Sequence, residues 1–133
     1  MKKLMKRTIA LALCLSASII PLTACGDDSS AGAGEGQITI GFTNMADTDV
    51  FCKYTMDQFV EQAKQKGWAV NTADAELDTL KQIQQVNNFI ASDVDAIVIE
   101  AVDYEAIVPG IEAANEANIP VICLICDAAG GDF

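Results

Sequence analysis

Nineteen carboxylates, five cysteines and no histidine bound the chemistry open to this chain. Without an imidazole there is no histidine acid–base catalysis and no Cys/His zinc site. Cys123 and Cys126, in CLIC, have the spacing of a redox C-x-x-C pair. Such a pair works at a helix N-terminus, whereas IPVICLI (119–125) reads as a strand, where residues three apart point to opposite faces. With no second pair to complete a metal site, both are expected to be buried filler. Cys25, in LTACG, stands where apolar sequence gives way to polar. It is open to four roles: half a disulfide, a metal ligand, a buried filler or an anchor. The remaining candidates are the carboxylates, which accept hydrogen bonds from polyhydroxylated ligands and attract cationic ones.

The N-terminus bears on the choice for Cys25. Lys2, Lys3, Lys6 and Arg7 precede an uncharged run from Thr8 to Ala24 that ends in small residues. That is the layout of a secretory signal; the run is short for a membrane span and holds Pro21. Leu22, Thr23, Ala24 and Cys25 resemble the lipobox of bacterial lipoproteins. The resemblance implies that residues 1–24 are removed, that Cys25 is lipidated, and that the chain sits outside the cytoplasm on a membrane anchor. Residues 25–37, small and polar, are then a flexible tether. The Gly32-x-Gly34-x-Gly36 within it precedes the first strand instead of following it, so it is no dinucleotide fingerprint. Loss of the leader leaves Lys53, Lys64, Lys66 and Lys81 against 19 carboxylates, a net charge of −15. So acidic a surface repels phosphate backbones and excludes nucleic acid as a partner.

The elements that must position the carboxylates begin at residue 38. ITIGFT (38–43) is an apolar, β-branched strand. Cys52, Met56, Phe59, Val60 and Ala63 form a helical stripe within 49–67, stopped by Gly67. WAVNTA (68–73) is a second strand. Thr79 and Gln82 have capping-box spacing, ahead of a face made by Leu80, Ile83, Val86 and Ile90. VDAIVIE (94–100) is a run suited to a strand buried on both sides. Asp103 caps a turn into a third helix that turns Ile107, Ile111 and Ala114 inward, with Pro109 near its start. IPVICLI (119–125) is the fourth strand.

The order β-α-β-α-β-α-β predicts an α/β, doubly wound parallel sheet with right-handed crossovers; strand order is not fixed by it. Ligands of such sheets sit beyond the carboxyl ends of the strands. Those ends carry Asp47, Asp49, Asp74, Glu76, Asp78, Glu100, Asp103 and Asp127, some of which serve as helix caps.

IGFT (40–43), the helix with Gln82 and Gln85, DVDAIVIEAVD (93–103), AIVPGIEAANEANIPVI (106–122) and the aspartate at 127 resemble the sugar-type periplasmic binding proteins of ABC importers, the ribose and glucose/galactose group. The resemblance spans 38 to about 128. It implies a type I fold of two lobes closing on a ligand at a hinge, residues 38–133 being an incomplete N-terminal lobe, and a permease as partner. It implies a small polar ligand, in the first place a sugar, stacked on Phe51 and hydrogen-bonded to Asp49, with Cys52 following them. Glu100 stands where the family commonly has asparagine, and Asp127 takes over an acceptor role after the fourth strand. Neither a metal nor a cofactor is expected. The chain stops at Gly130-Gly131-Asp132-Phe133 before the family's first lobe is complete, so the resemblance implies an N-terminal fragment with half a cleft and weak or no sugar binding alone. A sensory receptor of the same fold, docking to a chemoreceptor or kinase, is the alternative. An enzyme is disfavoured by the lack of a nucleophile–base constellation.

Overall fold

The computed structural model describes residues 36–133, so the signal segment 1–24, the lipidation expected at Cys25 and nearly all of the 25–37 tether lie outside the described residues. Seven elements alternate: β1 (Thr39–Asn44), α1 (Val50–Gln65), β2 (Ala69–Asp74), α2 (Thr79–Ala91), β3 (Ala96–Ile99), α3 (Val108–Glu116) and β4 (Val121–Cys123). All strand pairs are parallel, in the order β2-β1-β3-β4. The crossover through α1 therefore steps to one side of β1, and the crossover through α2 steps back over β1 to the other. No helix among the described residues is long and apolar enough to cross a membrane.

The two-residue period of the strands divides the interior into two layers. Ile40, Phe42 and Val98 face α1 and pack with Met56, Phe59 and Val70; the Phe42 and Phe59 rings meet edge to face at 5.3 Å. Ile97 and Ile99 face the other way, against Val86 and Phe89 of α2 and Ile111 and Ala114 of α3. Gly41 lies on that second face, where the Phe89 ring packs directly against the β1 backbone.

Local chemistry explains most boundaries. Gly67 adopts a positive φ of 77°, and Gly67 and Trp68 donate to Lys64 and Ala63 carbonyls, closing α1. Pro109 sits in the first turn of α3, where its missing N–H costs nothing. Asp103 accepts from the Glu105 and Ala106 amides and organises the turn before it.

Three expectations fail. Thr79 and Gln82 make no capping box: Asp78 is the N-cap of α2, accepting from the Lys81 amide at 3.0 Å, and Gln82 is fully buried. Leu80 does not join the inner face; it is 79% exposed, on a helix that starts at Thr79, one residue earlier than a Thr79 cap requires, and turns Gln82, Val86 and Phe89 inward. β4 ends at Cys123, since Ile125 takes a positive φ of 75° and bends the chain away. Cys126 consequently lies on an exposed bend, and only Cys123 is partly covered. The strand geometry invoked for the pair therefore does not apply to Cys126, nor does the role of buried filler.

Candidate functional site

The carboxyl ends of β1 and β3 lie side by side at the point where the chain leaves β1 through α1 on one face and β3 through α3 on the other, the switch point at which open α/β sheets form their crevice. A hydrogen-bonded floor holds these ends in register. Gln82 donates to the Glu100 carbonyl at 2.8 Å and accepts from the Val102 amide at 2.9 Å, completing both polar groups where β3 runs out. Its amide also lies 3.4 Å from the Thr43 hydroxyl, which donates to Gln85 Oε1 at 2.7 Å. Gln85 in turn donates to the Asp74 carbonyl at 2.7 Å. One face of α2 thus ties together the ends of β1, β2 and β3.

On this floor, Asn44 folds the next loop back on itself, donating to Asp47 at 2.9 Å and accepting from the Ala46 amide at 3.3 Å. The loop delivers Asp49 to the N-terminus of α1, where its Oδ1 accepts from the Phe51 and Cys52 amides at 2.9 and 3.0 Å. These bonds, that to Cys52 first, hold the Asp49 carboxyl below the usual aspartate range. The cap uses Oδ1 and leaves Oδ2 outside it. Phe51, in the first turn, is 63% exposed, which leaves its ring free to lie against a ligand. Cys52 points the other way and is buried; desolvation, then the charges of Glu100 and Asp49, push its thiol up to about 11. It stays a neutral thiol at physiological pH.

Glu100, directly after β3, is 1% exposed, and neither carboxylate oxygen has a hydrogen-bond partner. It borders a cavity of about 70 Å³ lined by Met45, Glu100, Ala101, Leu124, Ile125 and Cys126. Desolvation raises its pKa to about 7; the nearby Cys52 thiol opposes this without completing a well-formed hydrogen bond, and the Asp49 charge adds to it. Unfolded, the group ionises near 4.5. Between those pH values the folded state binds more protons than the unfolded state, so stability falls as pH rises from 4.5 to about 7 and is flat above. Allowing for screening at an open cleft edge, the loss is on the order of 2 kcal/mol. Glu100→Gln is therefore expected to raise Tm by roughly 5–10 °C at pH 8 and to leave it unchanged at pH 4. Thermal melts of both proteins at the two pH values check this.

Of the five expected ligand-binding residues, Asp49, Phe51, Cys52 and Glu100 come together at the ends of β1 and β3. Asp127 is exposed on the segment after β4, beside Cys126, without a bond to the other four. The positioning glutamines escaped the sequence as site residues, although Gln82 interrupts the apolar stripe of α2, a signal that a buried amide has work there. A larger open depression of about 500 Å³, lined by Glu112, Asn115, Glu116, Gly131 and Asp132, lies around α3. Its only side-chain amide is already engaged by the Asp132 backbone, so it offers little to orient a ligand. The edge at β1 and β3 instead combines an exposed ring with acceptors, an arrangement that suits a small ligand with one apolar face and several N–H or O–H donors.

Residues 40–132 match the profile of the periplasmic binding protein domain. A ribose import binding protein of Bacillus subtilis is 29% identical over 96% of this chain and 43% of its own length. A fructose import binding protein of Bifidobacterium longum is 27% identical over 87% of the chain and 36% of its own length. Among solved structures, the binding protein of an arabinose ABC transporter from Shewanella, with arabinofuranose bound, superposes with a TM-score of 0.66 at 31% identity. It is matched over 71% of this chain and 31% of its own. A solute-binding protein from Bacillus halodurans with bound myo-inositol gives 0.62 at 34%, over 68% of this chain and 32% of its own. The chain thus spans less than half the length of the relatives it matches. These relatives are substrate-binding proteins, not enzymes.

Proposed function

The chain belongs to the periplasmic binding protein domain family, and from that membership we propose that it supplies the ligand-receiving face of an extracytoplasmic receptor that delivers a sugar or similar small polar ligand to an ABC importer. The observation that carries this reading is the exposed Phe51 ring next to the Asp49 carboxylate, with Glu100 behind them, at the switch point of the sheet. A pyranose or furanose stacks its C–H face on the ring and directs its hydroxyls to the carboxylates. A ligand touching this lobe and an opposing lobe favours the closed form of a hinged pair, because only that form makes both sets of contacts. The closed form is what a membrane permease reads. Cys25 supplies the lipid anchor, and residues 25–37 are the leash that lets the receptor reach the permease.

The test is a panel of pentoses, hexoses and cyclic polyols against the full-length gene product, read by thermal shift and calorimetry. A ligand that binds only the folded form raises Tm by mass action. Phe51→Ala is expected to weaken binding of the sugar that scores by about tenfold, from the stacking contribution of an aromatic face. The unliganded Tm should not move, since the ring is 63% exposed and contributes little to the core. Undiminished binding by Phe51→Ala would remove the ring from the site.

A further inference from the structure

Glu100 is a polar group for which this lobe provides no partner. An ionised carboxylate accepts at about four lone-pair positions, and here both oxygens are out of water and unbonded. Buried charges are normally paired. The lysines among the described residues do not serve. Lys53 pairs with Asp57 and Lys81 with Glu76. Lys64 and Lys66 lie at the far end of α1, whose 16 residues span about 24 Å. The titratable groups around Glu100 are Asp49 and Cys52 from α1 and Cys126 across the cavity from the segment after β4. None is a cation: Asp49 repels, and Cys52 remains a neutral thiol.

We propose that the partner of Glu100 is a protonated amine on the ligand, so that the site takes an amino-substituted polyol in preference to the neutral sugar of the same shape. The inference rests on the sugar-type reading of this edge and deepens it by assigning the ligand a charge. An ammonium group brings three donors and a positive charge to a pocket that lacks both, whereas a hydroxyl brings one donor. The cavity, at about 70 Å³, holds a substituent of that size and not a ring; the ring itself stays outside, against Phe51. Asp49, whose charge reaches Glu100, adds to the negative potential that draws the amine in.

Glucosamine, galactosamine and mannosamine are titrated by calorimetry into the full-length gene product at pH 7, each against its neutral hexose. The expected result is a preference of at least tenfold for an amino sugar. Glu100→Gln, with folding verified by its melt, is expected to abolish the preference, weakening the amine at least tenfold more than the neutral hexose. The unsubstituted protein offers a second readout: affinity for the amino sugar should rise about fifteenfold from pH 5.5 to 7 as Glu100 ionises. A neutral hexose bound as tightly as its amino partner, or amine affinity that falls over that pH range, would overturn the assignment while leaving the sugar-type reading in place. A panel in which no member of any pair binds would overturn both.

Discussion

Alanine in place of Gly41 is expected to destabilise the fold by about 3 kcal/mol, the upper part of the range for overpacking a close-packed interior. A Cβ at this position would lie 2.5 Å from Phe89 Cγ, with two further ring atoms within 2.9 Å. The flank of the ring, not a flexible tip, is what the new carbon meets. Phe89 cannot withdraw freely, because it belongs to the cluster with Val86, Ile97 and Ile111. Against a total stability of roughly 5–15 kcal/mol for a domain, this one methyl group would leave a substantial unfolded fraction at physiological temperature. Urea titration of Gly41→Ala measures the loss, and a cycle with Phe89→Leu tests its cause. If the ring is the obstacle, the smaller side chain recovers at least 1 kcal/mol of the alanine penalty, within the usual range for coupled neighbours. Strict additivity would place the strain elsewhere.

Leucine in place of Gln82 is the second large effect, about 3 kcal/mol, and it differs in kind. The shape is nearly kept, but the Glu100 carbonyl loses its donor and the Val102 amide its acceptor. Leaving these two backbone groups unsatisfied, one buried and one partly buried, costs about 1–3 kcal/mol each. The loss falls on the end of β3, so it also frees the backbone that aims Glu100. Gln82→Leu should therefore weaken ligand binding together with stability, while Phe51→Ala weakens binding alone. Hydrogen exchange at the Val102 amide separates the two, since it accelerates in the first variant and not in the second.

The alternation of strands and helices was legible because each element carries a strong periodic pattern. ITIGFT appears displaced by one residue, as Thr39–Asn44, VDAIVIE appears shortened to Ala96–Ile99, and the 52/56/59/60/63 stripe lies within α1. Strand order was not legible: β1 pairs with both β2 and β3 through parallel backbone ladders, which leave no mark in the side chains that says which strand lies on which side. One departure arises where two polar residues compete for one role. Asp78 and Thr79 are both acceptable N-caps; a Thr79 cap would engage Gln82 in a capping box, whereas the Asp78 cap leaves it to bond the end of β3. β4 is shorter than its apolar run suggests, and nothing in CLIC announces the left-handed turn at Ile125 that ends it. At the site, Asp49 and Phe51 could be placed from the β1–α1 boundary, and Phe51 fell off the buried stripe as its exposure requires. That Glu100 would be buried without a partner was beyond sequence, since it depends on Leu124 and Cys126, which follow the neighbouring strand β4, lining the same cavity.

The central claim is that a small polar ligand is received at the carboxyl ends of β1 and β3. Hydrogen exchange of the full-length gene product, with and without the tightest-binding member of the sugar panel, tests it most directly. Binding there predicts slowed exchange within residues 44–52 and 100–104, and unchanged exchange at 92–95 and 117–120, on the opposite edge of the sheet. Protection centred instead on the depression between Glu112 and Asp132, or absent from 44–52, would contradict the account.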